Sequence, residues 1–273
     1  MSADPRPIGL FDSGLGGLTV VRALLDLVPN ERILYFGDTG RFPYGPKPAE
    51  DVLKYSIEIS DVLMARDVKM IVVACNSASA AALEPLRAQV DVPVTGVIEP
   101  GLRAAQRATT TGRIGVIGTV GTIASGAYQR TATALDPELA LTCAACPGFV
   151  EFVEAGDVES DQVHVLAERL LAPQKAAGVD TLVLGCTHYP LLARTITDVM
   201  GPDVVLVSSA EETAFEVRAA LAGRRAAPID AGDLRAWRDR VQFVTSGDVE
   251  TFRRLGARFC GPEVKTVEAW SWS

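Results

Sequence analysis

Short apolar runs, each closed by polar or glycine-rich residues and followed by a stretch of helical periodicity, recur along this chain. Ile8-Gly9-Leu10-Phe11 ends at Asp12-Ser13-Gly14-Leu15-Gly16-Gly17, and Leu18 to Leu27 then carries the apolar spacing of a helix closed by Pro29-Asn30. Ile33 to Phe36 leads into Gly37-Asp38-Thr39-Gly40 and the loop Arg41-Phe42-Pro43-Tyr44-Gly45. Pro43, Pro46 and Pro48, with the neighbouring glycines, keep this loop out of regular structure, and loops of that kind after a strand commonly carry function. A long amphipathic helix is predicted from about Pro48 to Arg66, then a strand through Ile71-Val72-Val73, a helix to about Val90, and a strand from Val94 to Ile98 ending at Glu99-Pro100. β-Branched runs of this length with no polar face are strands buried on both sides of a parallel sheet. In such sheets ligands bind beyond the carboxyl ends of the strands.

The second half repeats the first. Ile114 to Thr119 follows the pattern of Ile8 to Ser13 at a spacing of 106 residues, and Leu141 to Cys146 falls where Leu34 to Asp38 would. The run TLVLGCTHYP at 181–190 echoes MIVVACNSAS at 70–79, with Cys186 answering Cys75 at a spacing of 111. Val204 to Ser208 answers Val94 to Ile98 at 110. Four units in the same order predict an internal duplication, two βα-rich domains of similar design with mainly parallel sheets flanked by helices. A third section holds a helix over Glu211 to Leu221, a break at Pro228 to Gly232, a strand over Arg240 to Thr245 and a helix over Asp248 to Leu255. It is too short for a domain of its own and is expected to pack back on one of the halves. The closing WSWS reads either as a loose tail or as two tryptophans docked on a surface.

Composition narrows the function. The 273 residues are 48% hydrophobic and 22% charged, with a net charge of −8 and a pI near 4.9. That balance argues against a broad nucleic-acid surface, and no apolar run approaches a membrane span. No basic segment followed by an apolar core opens the chain, so a cytoplasmic residence is expected. Five cysteines, an odd number, point to reduced thiols rather than a disulfide framework. Two histidines are too few for a His-rich metal site, and none of the five lysines sits in a setting that suggests a pyridoxal Schiff base. Cofactor-free chemistry, with no metal, leads by elimination. Cys143-Ala144-Ala145-Cys146 is a single CxxC followed by Pro147-Gly148 rather than a helix start, and both thiols are assigned structural roles.

Cys75 and Cys186 occupy equivalent strand ends of the two halves. A thiol at a helix N-terminus is expected to have a lowered pKa, and a pair facing one carbon acid can take a proton from one side and return it on the other. The plain alternative is two buried cysteines acting as small apolar residues. The glycine cluster after Asp12 does not match a dinucleotide fingerprint, though its amides and the Ser13 hydroxyl can cradle a carboxylate. Asp12 either tunes a thiol of its own half or caps the helix that follows. His188, two residues after Cys186, is an acid–base candidate. His164 is read as an ordinary helix-face residue. Glu154 is either a solvated charge or a second-half counterpart to an acid of the first half.

IGLFDSGLGGLTV, FGDTGRFPYG, VVACNSASA, GVIEP and LGCTHYP, in this order from about Ile8 to Ser209, resemble the cofactor-independent glutamate racemases of the aspartate/glutamate racemase superfamily. The resemblance implies a pseudo-twofold α/β fold with the substrate between the domains. The first domain would comprise 1–97 with 208–273 and the second 98–207. It implies Cys75 and Cys186 as the two acid/base thiols, Asp12 assisting Cys75, and Glu154 and His188 assisting Cys186. Substrate contacts would fall on Asp12, Ser13, Pro43, Tyr44, Gly45, Cys75, Asn76, Ser77, Cys186, Thr187 and His188. The implied role is supply of D-glutamate for cell-wall peptidoglycan, by a chain that is often a homodimer in this family. The chain departs from the family pattern at Ser77, usually Thr, and at Glu151, often a second proline.

Three rivals stand beside this. An aspartate or other amino-acid racemase would use the same cysteine pair. A redox or hydrolytic protein would use Cys75 as a lone nucleophile. A binding protein would act through a partner, as some relatives do with DNA gyrase.

Overall fold

The computed structural model describes residues 4–223, 226, 240–261, 264 and 266–272. The first half alternates β1 (Ile8–Asp12), α1 (Leu18–Leu27), β2 (Ile33–Gly37), α2 (Ala49–Ala65), β3 (Met70–Val73), α3 (Asn76–Gln89), β4 (Val94–Gly96) and α4 (Ile98–Ala108). The second half continues with β5 (Arg113–Gly118), α5 (Val120–Ala124), α6 (Ala127–Leu135), β6 (Ala140–Ala145), α7 (Phe149–Ala155) and α8 (Asp161–Ala177). It closes with β7 (Thr181–Gly185), a 3-10 turn (Tyr189–Leu192), α9 (Ala193–Met200) and β8 (Val205–Ser208). Then come α10 (Ser209–Ala220), β9 (Val241–Thr245), α11 (Val249–Cys260) and β10 (Val267–Ala269).

Every strand pairing among the described residues is parallel. One sheet has the order β10-β9-β2-β1-β3-β4, the other β6-β5-β7-β8. The order β2-β1-β3-β4 is repeated by β6-β5-β7-β8, as a duplication requires. The third section does pack back: β9 pairs with β2 and β10 extends that edge. These are two parallel-sheet α/β domains flanked by helices, and the alternation of side chains explains the apolar strand sequences. Ile8, Leu10, Met70 and Val72 face one core, while Phe11, Ile71 and Val73 face another on the opposite side of the sheet.

Two expectations are corrected and one open alternative is resolved. The strand at Val94 stops at Gly96, and Ile98-Glu99-Pro100 opens α4 instead of ending the strand. Proline in a first helical turn loses no hydrogen bond, so Pro100 marks a helix start here. The last helix runs on to Cys260, with the Asp248 carboxylate accepting the Thr251 amide at 2.7 Å. The closing tryptophans are not loose: Trp270 and Trp272 pack against Phe36, with ring centroids 6.2 and 5.5 Å away. The expected break at Pro228 to Gly232 lies outside the described residues.

The domains meet closely at the start of α1. A Cβ on Gly16 would lie 2.1 Å from Thr187 Oγ1 and 2.6 Å from His188 Nδ1. Gly16→Ala is therefore expected to wedge the domains and lower stability by about 1–3 kcal/mol in urea unfolding. Unchanged stability would show slack at this contact.

Candidate active site

Strands β1, β2, β3, β5 and β7 deliver their carboxyl ends to one cleft of about 630 Å³, measured with its open mouth. Cys75 lines it from the first sheet and Cys186 from the second, and both side chains are almost wholly buried. Ser13, Pro43, Tyr44, Gly45, Asn76 and Ser77 line the same cleft, joined by Thr187 and His188. Asp12 lies just behind this lining, fully buried.

Each position has a local cause. Cys75 is the N-cap of α3 without a side-chain cap bond; the backbone N–H groups of Ala78 in α3 and of Ser13 in the turn after β1 favour its thiolate, and its thiol donates to Ser13 Oγ at 3.8 Å. Asp12 closes the turn into α1: its Oδ1 accepts the Gly14 amide at 2.7 Å, and the nearby Gly17 amide also favours the charged carboxylate. Its other oxygen accepts the Thr187 hydroxyl of the second domain at 3.3 Å. On the far side, Cys186 Sγ lies 4.0 Å from His188 Nδ1, and His188 Nε2 lies 3.2 Å from Glu154 Oε1 on α7. The structure thus brings Glu154 to His188 rather than leaving it a free surface charge.

Asn76 accepts the Tyr128 hydroxyl on Oδ1 at 2.7 Å, and its buried Nδ2 has no hydrogen-bond partner. An unsatisfied buried donor beside a cleft is poised for an acceptor atom of a ligand. Ser77 Oγ lies 3.0 Å from Thr119 Oγ1 and 3.1 Å from Thr122 Oγ1, a hydroxyl cluster drawn from both domains. Thr119, Val120, Phe42, Cys146 and Glu151 also line the cleft, although the sequence did not mark them as site residues. For Thr119 a signal existed, because the duplication aligns it with Ser13. Cys146 was assigned a structural role, and it is a buried thiol at the cleft wall. Among the described residues no group of His, Cys, Asp and Glu has the arrangement of a metal site, and none of the five cysteines forms a disulfide.

The electrostatics overturn one expectation. Burial pushes the Cys75 thiol up to about 12, the Asp12 charge adds to that rise, and the helix-start amides only partly offset it. Burial also raises the Cys186 thiol, against the opposing His188 amide. In a closed, dry site the loss of hydration outweighs the helix N-terminus. Burial raises Asp12 too, opposed first by the nearby His188.

The raised value fixes a sign. A higher pKa favours the neutral thiol, so at pH 8 Cys75 carries roughly three orders of magnitude less thiolate than an ordinary cysteine. Alkylation of Cys75 by iodoacetamide, followed by mass spectrometry, should keep rising about tenfold per pH unit from pH 8 to 11. Asp12→Asn should accelerate it at pH 8 by removing the charge that opposes thiolate. A rate that levels off below pH 10 would contradict this assignment.

Known proteins place the chain among racemases. The family model described as Asp/Glu/Hydantoin racemase matches residues 14–216. A curated glutamate racemase from Corynebacterium kroppenstedtii is 50% identical over 275 residues, covering 96% of each chain. The crystal structure of a glutamate racemase isoform from Bacillus anthracis superposes with a TM-score of 0.89 at 39% identity, covering 98% of this chain and 97% of that one. The Francisella tularensis glutamate racemase, solved in complex with D-glutamate, gives 0.90 at 31% identity over 98% of both chains.

Proposed function

The chain belongs to the Asp/Glu/hydantoin racemase family, and we propose that it is a glutamate racemase, an isomerase interconverting L- and D-glutamate by two-thiol proton transfer. The observation that carries the reading is the meeting of Cys75 and Cys186 in one cleft, each with its own proton acceptor nearby. Near-full-length similarity to glutamate racemases supports glutamate over aspartate as substrate.

The α-proton of an amino acid is weakly acidic beside an ionised carboxylate, so both base and carbanion need support from the site. Both thiols begin neutral. The substrate ammonium brings a positive charge into the dry cleft, which favours a thiolate there. With one enantiomer, Asp12 takes the Cys75 proton, the Cys75 thiolate removes the α-proton, and the Cys186 thiol donates its own to the opposite face. With the other, His188 takes the Cys186 proton while Glu154 holds the ring, and Cys75 becomes the donor; on product release the proton held by Asp12 or His188 returns to the sulfur left as thiolate, so both thiols are neutral again. Asn76 Nδ2 and the Ser77 and Thr119 hydroxyls are the neutral donors for substrate carboxylate oxygens, and pre-set donors of this kind stabilise developing charge without reorganisation. No part of this scheme draws on a metal or cofactor.

The proposed domain division at 97/98 and 207/208 is supported by the two separate sheets, although β8 runs to Ser208, one residue past the second boundary. Among the described residues no helix is long and apolar enough to cross a membrane. A cytoplasmic residence and supply of D-glutamate to peptidoglycan synthesis are proposed from the resemblance. A homodimer is the assembly proposed from the resemblance. The binding-protein reading, with DNA gyrase as partner, has no separate observation in its favour.

Cys75→Ser and Cys186→Ser should each lower racemisation at least about a hundredfold, followed as loss of optical rotation from L-glutamate. The two enantiomers are equal in free energy, so kcat/KM must fall equally in both directions. Wild-type rates in either variant would refute the two-thiol reaction. In deuterium oxide the product α-position should carry deuterium; turnover of aspartate alone would overturn the substrate assignment.

A further inference from the structure

The docking of the chain's end converges on one carboxylate. Asp38 follows β2 and is fully buried. Its Oδ2 accepts Arg41 Nε at 2.7 Å and the Tyr44 hydroxyl, both from the proline-rich loop. Its Oδ1 accepts Ser246 Oγ at 2.6 Å and the Trp272 indole N–H at 3.1 Å, both from the C-terminal section. One oxygen holds the loop and the other holds the end of the chain. The Arg41 guanidinium lies between two rings, 3.8 Å from the Trp272 centroid and 4.1 Å from that of Tyr55. It also pairs with Glu58 on α2.

The loop needs such anchors, because its prolines leave it few backbone bonds of its own: Arg41 to Asp38 at 3.0 Å and Lys47 to Tyr44 at 3.1 Å. Its far side reaches the second domain. Gly45 O accepts the Gly121 amide at 2.8 Å, a Cβ on Gly45 would meet Thr119, and the Phe42 ring lies 5.8 Å from His188. Pro43, Tyr44 and Gly45 form one wall of the cleft. The position of that wall is therefore fixed at one end by the second domain and at the other by Asp38, Arg41 and Trp272.

We propose that Trp272 is a positioning residue for the racemase: through Asp38 and Arg41 it holds the Pro43–Gly45 wall where the substrate binds. The proposal deepens the glutamate racemase reading and rests on it. Removing the indole N–H leaves Asp38 Oδ1 short of a donor in a buried site, and removing the ring also frees one face of Arg41. Trp270 supplies the comparison. It packs on the same Phe36 and lies 5.7 Å from the Arg66 guanidinium, but its buried indole N–H has no hydrogen-bond partner and it makes no bond to the loop.

The test is steady-state racemisation of both enantiomers by wild type, Trp272→Ala, Trp272→Phe and Trp270→Ala, with circular dichroism melting of each and calorimetric titration with D-glutamate. Trp272→Ala should raise KM about tenfold with kcat changed less than about threefold, and Trp272→Phe should raise it about threefold. Trp270→Ala should lower the melting temperature while leaving KM within about twofold of wild type, since it removes the Arg66 contact and packing, including that on Trp272 at 6.0 Å between ring centroids, but no bond to Asp38 or the loop. An unchanged KM in folded Trp272→Ala, or an equal rise in Trp270→Ala, would overturn the proposal. A wild type that binds D-glutamate but does not turn it over would instead overturn the functional reading, and the titrations would still judge the anchor by Kd.

Discussion

A carboxylate removed from water must be surrounded by donors, and two such groups, Asp12 and Asp38, set the arrangement of the whole cleft. They close adjacent parallel strands, β1 and β2, and neither is exposed. Asp12 gathers the glycine turn into α1 and the Thr187 hydroxyl from the other domain. Asp38 gathers the proline-rich loop, Ser246 and the chain's last described residue. Each thereby joins segments far apart in sequence, and each does so because burial makes an unmet acceptor costly. The parallel sheet explains why they lie together: its strands all end on one side, and the residues just past those ends face a shared space.

That same burial governs the thiols. A sulfur at a helix start in water would be an easily ionised nucleophile, whereas Cys75 and Cys186 are held neutral by their surroundings. For a proton shuttle this is an advantage. A standing thiolate would be stabilised in the resting enzyme and would make a weaker base, while a thiol ionised only beside the substrate ammonium meets the α-proton with a high proton affinity. In the proposed reaction the cleft gains its driving force by excluding water from both sulfurs, and the bound substrate supplies the charge that lets one of them ionise.

The sequence revealed what depends on local pattern. Buried strands announced themselves as β-branched runs, the helix over Leu18–Leu27 by its spacing, and the paired cysteines by recurrence at matching strand ends. The features it hid are settled by distant partners. Pro100 after an apolar run reads as a strand's end, yet the chain had already turned at Gly96, and only the helix packed behind the sheet explains that. Thr119 was aligned with Ser13 by the repeat, but its contact with Ser77 across the domains cannot be read from either segment alone. The WSWS end left two options open because docking depended on a receptor assembled from Phe36, Arg41 and Asp38. The lowered thiol pKa expected from helix geometry failed for the same reason: it counted the amides and not the missing water.

Duplication accounts for the two thiols but not for the groups beside them. The strand repeat that aligns Cys75 with Cys186 aligns Asp12 with Gly118 and Ser77 with His188. Neither Gly118 nor Ser77 could take the proton that the proposed reaction assigns to its counterpart, so the two halves offer their sulfurs different neighbours: a buried carboxylate on one side, an imidazole backed by Glu154 on the other. A racemase tolerates this asymmetry. Its substrates are mirror images of equal free energy, so the overall equilibrium constrains the product of the steps and not the likeness of the two bases. What the reaction demands is that either sulfur can be the ionised one while the other keeps its proton. Two acceptors of different chemistry, both drawn close to Thr187 at the seam between the domains, meet that demand without requiring the copied halves to remain copies.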